Sequence, residues 1–407
     1  MNDNEMLVER AVAGFARLPF DKGELYKRYS TEIKFSGAAN RETDSVEEIM
    51  KSIMSSAGMK FDLHSTDGGI STGSSIVSTS EIAAAGATPA GGASFEDSLY
   101  GYMRSVGYSI VEIDVPEGAA AKLNFLLLNE NTKAQPVIVA NVGKNASLGL
   151  FEWIGSTDGA TATRTAINVI NSGPGSSAEI STLHNESDLC DVGVLNSITA
   201  HENASVRLNC VYNGGKSTKS STMANAEGRE SRIAVNEIVL GNGSQSFDLG
   251  TYTLNAGTRT DTTLMSGAVL KDKALCTLKG YAKVASGADG SHTYVEEKGL
   301  VMDSGARMRP LPDMSIDCKN VAFASHSASA APIDAEKLFY LMSRGIEEAR
   351  AKRSFVASFL SKYLASIAND TVKEIAISAL LDKLDNGRHA VVPQISPQNL
   401  WIVPGAK

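Results

Sequence analysis

From Tyr108 to Ala324 the chain is a succession of short apolar segments separated by turn residues, with no room for a helix between them. It runs through YSIVEIDV (108–115), KLNFLLLN (122–129), PVIVANV (136–142), SLGLFEWI (147–154), TAINVI (165–170) and AEISTLH (178–184). The same character continues through VGVLNSITA, SVRLNCVY, SRIAVNEIVL, QSFDLGTYTL, TLMSGAVL, ALCTLKGYAKV and MSIDCKNVAFA. A doubly wound α/β fold needs helical crossovers, so a sandwich, a barrel or a solenoid remains. A polar turn followed by a small residue and alternating apolar positions recurs at Lys144 (KNASLGLFEWI), Glu202 (ENASVRLNCVY), Lys271 (KDKALCTLKGYA) and Cys318 (CKNVAFASHSA). The unequal gaps fit multiples of a rung of about 20 to 25 residues, the signature of a β-solenoid. The Asn, Ser, Thr, Gly and Ala content suits stacked rungs with tight corners.

Helical patterns flank this core. Met6, Leu7, Val12 and Phe15 fall near helical spacing, and Val46, Ile49 and Ile53 predict a second helix over residues 45–55. The Ser/Thr/Gly/Ala-rich stretch 65–94 reads as a solvated connector, and residues 95–106 as a short amphipathic helix. After the strands, Pro332 bars helix and Asp334 is a good N-cap before the stripe Leu338, Phe339, Leu341 and Met342. Gly345 stops or bends that helix. Further helices are expected over 347–367 and 371–384, the latter capped by Asn369 or Asp370. Their apolar face predicts either a cap over the solenoid's end, which such folds require, or a docking surface. Trp401 and Ile402 suggest a final strand or anchor, and His389 a surface residue. The expected organisation is an N-terminal helical region with a linker (1–105), a β-helix core (106–332), and a C-terminal helical domain with its tail (333–407).

With 46 acidic and 38 basic residues the formal charge is −8, which argues against a broad electrostatic footprint for nucleic acid or acidic membranes. No run approaches the roughly 18 apolar residues of a membrane span, and MNDNEMLVER lacks the regions of a signal peptide, so a cytoplasmic protein is expected. Cys190, Cys210, Cys276 and Cys318 show no CxxC spacing, and free thiols, mostly in the core, are expected. No P-loop is present, so the chain should not hydrolyse ATP itself.

The junction between strands and helices carries a specific pattern: Ser325, His326, Ala328, Ile333, Asp334, Phe339, Tyr340, Leu341, Ser343, Arg344, Gly345 and Ile346. In order and spacing it resembles the SufB/SufD family of scaffold proteins of the SUF iron-sulfur cluster assembly machinery. GTRTDTTLMSGAVLKDKALCTLKGYAKV and GARMRPLPDMSID resemble the family's late rungs, and LPFDKGELYKRYS its opening; the likeness covers residues 136–353 best. The resemblance implies a right-handed parallel β-helix followed by a helical domain. SufB-type chains place glutamate beside the histidine and SufD-type chains small residues; Ser327 and Ala328 favour SufD.

The resemblance further implies a non-catalytic subunit, paired through its β-helix with a SufB-type subunit or with itself, and binding a SufC-type ATPase through its C-terminal helices. It implies a transient iron-sulfur cluster or iron rather than a stably bound one. His326 is the candidate ligand, since neutral imidazole binds iron near neutral pH. Cys318 is the second candidate, as a soft thiolate donor. The cysteine that the family pattern places two residues before the histidine is Ala324 here. Asp334, Phe339, Tyr340 and Arg344 are the candidate partner-binding residues, aromatics and arginine being common interface anchors. The alternatives are a SufB-like homodimeric scaffold, a β-helix polysaccharide-active enzyme, which would need clustered acids on one face, and a purely structural solenoid.

Overall fold

The computed structural model describes residues 3–15, 18, 77–82, 94–128, 136–156, 161, 163–387 and 400–402. The helix expected over 45–55, residues 19–30 of the LPFDKGELYKRYS stretch and His389 lie outside the described residues. Two parallel sheets alternate along the chain. Sheet A holds β2 (Tyr108–Val115), β4 (Pro136–Val142), β6 (Arg164–Ser172), β8 (Asp191–Ala200), β10 (Ser217–Ala226), β12 (Ser246–Asn255) and β14 (Leu275–Val284), ending in β16 (Arg307–Pro310) and β17 (Asp313–Ile316). Sheet B holds β3 (Ala120–Leu128), β5 (Ser147–Gly155), β7 (Ser177–Asn185), β9 (Ser205–Tyr212), β11 (Arg232–Gly241), β13 (Asp261–Leu270), β15 (His292–Val301) and β18 (Phe323–Pro332). The chain is therefore a parallel β-solenoid of about seven turns.

A turn is longer than the expected 20 to 25 residues. Register pairs Ala120 with Ser147, Ser205 with Arg232 and His292 with Phe323, so one circuit takes 27 to 31 residues. The reason is that each turn contains two strands, commonly of 9 or 10 residues, and two corners. The recurring polar turns are corners. Asn145, Asn203 and Asp272 adopt left-handed backbone, which Asn and Asp tolerate, and the following small residues Ala146, Ala204 and Ala274 are buried. Successive corners are themselves bonded: the amides of Asn145, Asn203, Glu230 and Arg259 donate to the carbonyls of Pro174, Arg229, Thr258 and Asp289 on the next turn. The turn at Cys318 has no left-handed residue, so it is a different corner despite its similar sequence.

Alternate side chains fill the solenoid's interior with a single apolar cluster, including Ile138, Leu150, Ile180, Leu208, Val235, Leu264 and Val295. Cys190, Cys210 and Cys276 belong to it as free buried thiols, as expected; burial pushes Cys210 up to about 12 and raises the other two.

Helices cover both outer faces. On sheet A lie α1 (Asp3–Phe15) and α2 (Phe95–Val106), whose Val8, Phe15, Leu99 and Met103 pack on Ile110, Val139 and Ile167. Three helices follow β18: α3 (Ala335–Ser343), α4 (Glu348–Leu364) and α5 (Asp370–Asn386), the last capped by the Asn369 side chain. Val356, Leu360, Tyr363, Ile367, Ala376 and Leu380 of the α4–α5 unit pack on Trp153, Leu183, Val211, Ile238 and Val269 of sheet B. These helices thus clothe the solenoid's flank rather than its end, because their apolar stripe matches the outward apolar row of the strands.

Polar pins fix this unit. Lys383 is buried and donates to the carbonyls of Asn213 and Leu240 (2.6 Å) and to Gln245 Oε1 (2.8 Å). Desolvation pushes its ammonium down to about 7, a fall that Asp188 opposes. Nearer the end, Glu296 accepts from Lys362 Nζ (2.5 Å), Lys298 Nζ (2.8 Å), Tyr294 Oη (2.9 Å) and Tyr363 Oη (3.3 Å). Burial opposes ionisation of Glu296, yet the hydrogen bonds from Lys298, Lys362 and Tyr294 together outweigh it and hold the carboxyl at about 2.

The connector expected over 65–94 contains a strand. Residues Val77–Ile82 form β1, which pairs antiparallel with β2 and covers the N-terminal edge of sheet A. Leu400–Ile402 form β19 beside β3, the final strand expected from Trp401 and Ile402, and cover the matching edge of sheet B. Exposed backbone donors and acceptors at a sheet edge favour such added strands. Among the described residues, no helix is long and apolar enough to cross a membrane.

Candidate functional site

The other end of the solenoid is different. Strand β18 pairs with β15 on one side only, and among the described residues no strand covers its other edge. Its sequence, FASHSASAAP, carries no charge, bulge or internal proline that would blunt the edge. Small side chains leave the backbone of this strand accessible. Around it Ile316 is 45% exposed and Phe323 49%, and the following helix α3 buries none of its residues. Phe339 is 72% exposed, Tyr340 56%, and Met342 is also exposed. Apart from Leu189, the large apolar side chains exposed among the described residues are gathered at this end.

His326 lies at the centre of this edge. It is in register with Val295, an interior residue, so it stands on the lumen-facing row of the last turn, where the open end leaves it exposed. Ala324 and Ala328 occupy the flanking positions of the same row, while Ser325 and Ser327 follow Tyr294 and Glu296 on the outer row. The hydroxyls of Tyr294 and Ser327 are 3.4 Å apart, which ties the last strand to the Glu296 network.

Cys318 sits at the preceding corner, partly buried, and its thiol donates to Asp289 Oδ1 at 3.1 Å. No hydrogen bond joins it to His326 among the described residues, and those residues contain no group of three or more His, Cys, Asp or Glu able to hold a metal ion. His326 presents a single exposed imidazole at this end of the solenoid.

The expected partner-binding residues are together on α3. Asp334 is its N-cap, accepting from the amides of Glu336 (3.0 Å) and Lys337 (3.2 Å). Those bonds, the Lys337 amide foremost, lower its carboxyl. The Arg344 guanidinium lies 5.2 Å from the centre of the Tyr340 ring. Gly345, with φ +84°, then reverses the chain into α4; a side chain would be strained at that angle. Phe339, Tyr340 and Met342 are exposed on this helix and do not join the apolar cluster on the flank.

A row of polar residues not evident from the local sequence lies inside the solenoid. Glu152, Thr182, Cys210, Glu237, Ser266 and Glu297 stand side by side on successive turns of sheet B, and Ala328 follows Glu297. The available signal was an acid at an inward position of an alternating strand, as in SLGLFEWI and SRIAVNEIVL. Desolvation raises all three carboxyls, Glu152 and Glu297 to about 8.

Comparison with known proteins places this geometry in context. Residues 125–359 match the family described as SUF system FeS cluster assembly, SufBD core domain. The iron-sulfur cluster assembly protein SufD of Bacillus subtilis (strain 168) is 29% identical over 147 residues, which are 36% of this chain and 33% of that protein. A SufBD family protein of Mycobacterium tuberculosis (strain ATCC 25618 / H37Rv) is 34% identical over 106 residues, 26% of this chain and 27% of its own length. The B. subtilis iron-sulfur cluster assembly protein SufB is 26% identical over 162 residues, 40% and 35% of the two chains. The aligned segments thus span about a third of the length of these curated relatives.

Proposed function

Because the chain belongs to the SufBD core-domain family of the SUF iron-sulfur cluster assembly system, we propose that it is a non-catalytic scaffold subunit that completes its working site by edge-to-edge pairing of β18. The observation that carries this reading is the asymmetry of the solenoid: added strands cover its N-terminal edges, whereas among the described residues no strand covers the outer edge of β18, which carries His326 on its lumen-facing row. Parallel pairing leaves strand backbone groups that a second strand satisfies, and an Ala/Ser surface lets it approach closely. A SufB-type subunit is the partner this favours, with a second copy of the chain as the homodimeric alternative. His326 would then contribute one ligand to iron or a forming cluster, treated as cargo, while the partner supplies thiolates. Cys318 is the auxiliary candidate at the corner.

Helix α3 is the proposed seat of a SufC-type ATPase. Its exposed Phe339 and Tyr340, with Arg344 against the ring, provide apolar anchors and a cation on one rigid, capped helix. Its position beside β18 would allow ATP-driven movement of the partner to alter the paired edge.

The test is co-purification of the full chain with SufB-type and SufC-type proteins, followed by anaerobic iron and sulfide analysis. His326→Ala should preserve the complex and lower its iron and sulfide content, whereas an F339D/Y340D double variant should lose the ATPase and keep the SufB-type partner. Equal cluster content with His326→Ala would refute the ligand role. Retention of the ATPase by the double variant would refute the docking role.

A further inference from the structure

The outer face of sheet A carries a cleft that the pairing of β18, a strand of sheet B, does not use. It has a volume of about 540 Å³ and lies between α1 and strands β6, β8, β10 and β12. That is the size of a small-ligand site, about 300–1,000 Å³. Register builds its floor from two rows, each stepping from one turn to the next. Val169, Ser197, Met223 and Tyr252 form one row, and Asn171, Thr199, Asn225 and Leu254 the other. Leu7, Ala11 and Gly14 of α1, spaced to share a helix face, form the wall with Leu18. A Cβ on Gly14 would come within 2.7 Å of Met223 Cε, so glycine there lets the helix lie against the floor.

Packing leaves particular groups of this cleft without partners. Ser197 is only 7% exposed, yet its hydroxyl makes no hydrogen bond among the described residues, and neither do the side chains of Thr199 and Asn225. Arg10 and Glu227 also line the cleft, both exposed, and neither forms an ion pair with the other or with any described residue. Their charged neighbours in sequence are already engaged, Glu9 by Arg104 at 3.7 Å and Arg229 by Glu230 at 3.5 Å. None of these polar groups is needed to dock α1, whose Val8, Val12 and Phe15 already pack on sheet A.

Together the groups match the parts of one chemical class. A guanidinium pairs with a carboxylate and a carboxylate with an ammonium, while hydroxyl and carboxamide groups donate and accept as a peptide group does. Leu7, Val169, Met223 and Leu254 supply apolar contact, and the flexible thioether of Met223 adapts it to more than one side chain. We propose that the cleft binds short peptides with free termini, the carboxylate on Arg10, the ammonium on Glu227 and the backbone over Ser197, Thr199 and Asn225. Four turns about 4.8 Å apart make the floor about 14 Å long, which three or four extended residues of about 3.4 Å each fill. Tyr252 closes the far end, its ring held by stacking on Tyr281 at 5.5 Å between centroids. No residue of the β18 edge or of α3 takes part, so the site is independent of the scaffold reading.

Titration calorimetry of the full chain with the tripeptide leucyl-glycyl-leucine tests it, with an expected dissociation constant of about 1 mM or tighter. Amidating the peptide's C-terminus should weaken binding about threefold or more, and acetylating its N-terminus should do the same. Arg10→Gln should weaken the free peptide by a similar factor and leave the amidated one unchanged; Glu227→Gln should show that relation with the acetylated one. Ser197→Leu, which removes the buried hydroxyl and fills the floor, should weaken all three forms. Absence of binding in this range would overturn the site, as would a free peptide and a doubly capped one that bind equally. Binding unchanged by Arg10→Gln, Glu227→Gln and Ser197→Leu would place the peptide elsewhere and overturn it too. If a variant does not fold, the capped peptides on the wild-type chain decide by themselves.

Discussion

Helices α4 and α5 bury Val356, Leu360, Tyr363 and Leu380 against the strands of sheet B, whereas α3, one glycine turn away, buries nothing. Both regions are amphipathic and aromatic-bearing. The difference lies in what faces them: Trp153, Val211 and Val269 form an outward apolar row beneath α4 and α5, while α3 leaves the solenoid past its last strand, where there is no further row to cover. The comparison teaches that an apolar helical stripe specifies burial but not the surface that buries it. In α4 and α5 that surface belongs to the same chain; α3 stays exposed, which is the basis for proposing a partner there.

The largest effect that would sharpen this contrast is expected from Leu360→Ala. Truncating a side chain so enclosed should cost about 2–5 kcal/mol, measured by denaturant unfolding. A loss as small as that of a surface substitution would mean that the helical unit is not docked on the flank.

Lys383→Met should have a smaller effect, about 1–3 kcal/mol, by leaving the carbonyls of Asn213 and Leu240 without their donor. Its pH dependence has a definite sign. Desolvation depresses the folded pKa to about 7, well below the ordinary lysine value, so between the two the unfolded chain binds more protons and the wild type gains stability as pH rises. The stability difference between wild type and Lys383→Met should therefore widen between about pH 7 and pH 10. A flat difference would show that the lysine stays charged in its buried site.

The smallest effect is expected on the other side of the comparison. Phe339→Ala should change stability by no more than about 0.5 kcal/mol, because the ring is exposed. A substantial loss would show that α3 is packed within the chain and is not a free docking face.

Much of the fold was legible in the residues. Asn145 and Asn203 marked corners through a small polar side chain that tolerates left-handed backbone, followed by an alanine small enough to enter the core. Asp334 and Asn369 announced the starts of α3 and α5 for the reason that caps generally do, by satisfying free amides. The turn length was underestimated because similarity between corners does not count the strands between them. Strand β1 was hidden in a Ser/Gly/Ala-rich stretch because an edge strand draws its stability from its neighbour's backbone rather than from its own pattern. Of the candidate site, His326 and the α3 residues stood out in a local motif, while Glu237 and Glu297 did not, since each looks like an ordinary acid within its own strand.

Local residue patterns specify the repeating strands, the corner chemistry, the helix caps and the resemblance at residues 325–346. The packing of α4 and α5 on the flank, the β18 edge that no strand covers among the described residues, and the shared interior row of Glu237, Ser266 and Glu297 emerge only from long-range assembly. The physical reason is register. Residues about 30 positions apart become neighbours only after the lengths of two strands and two corners are fixed together, and a one-residue change in any of them sends a side chain to the opposite face.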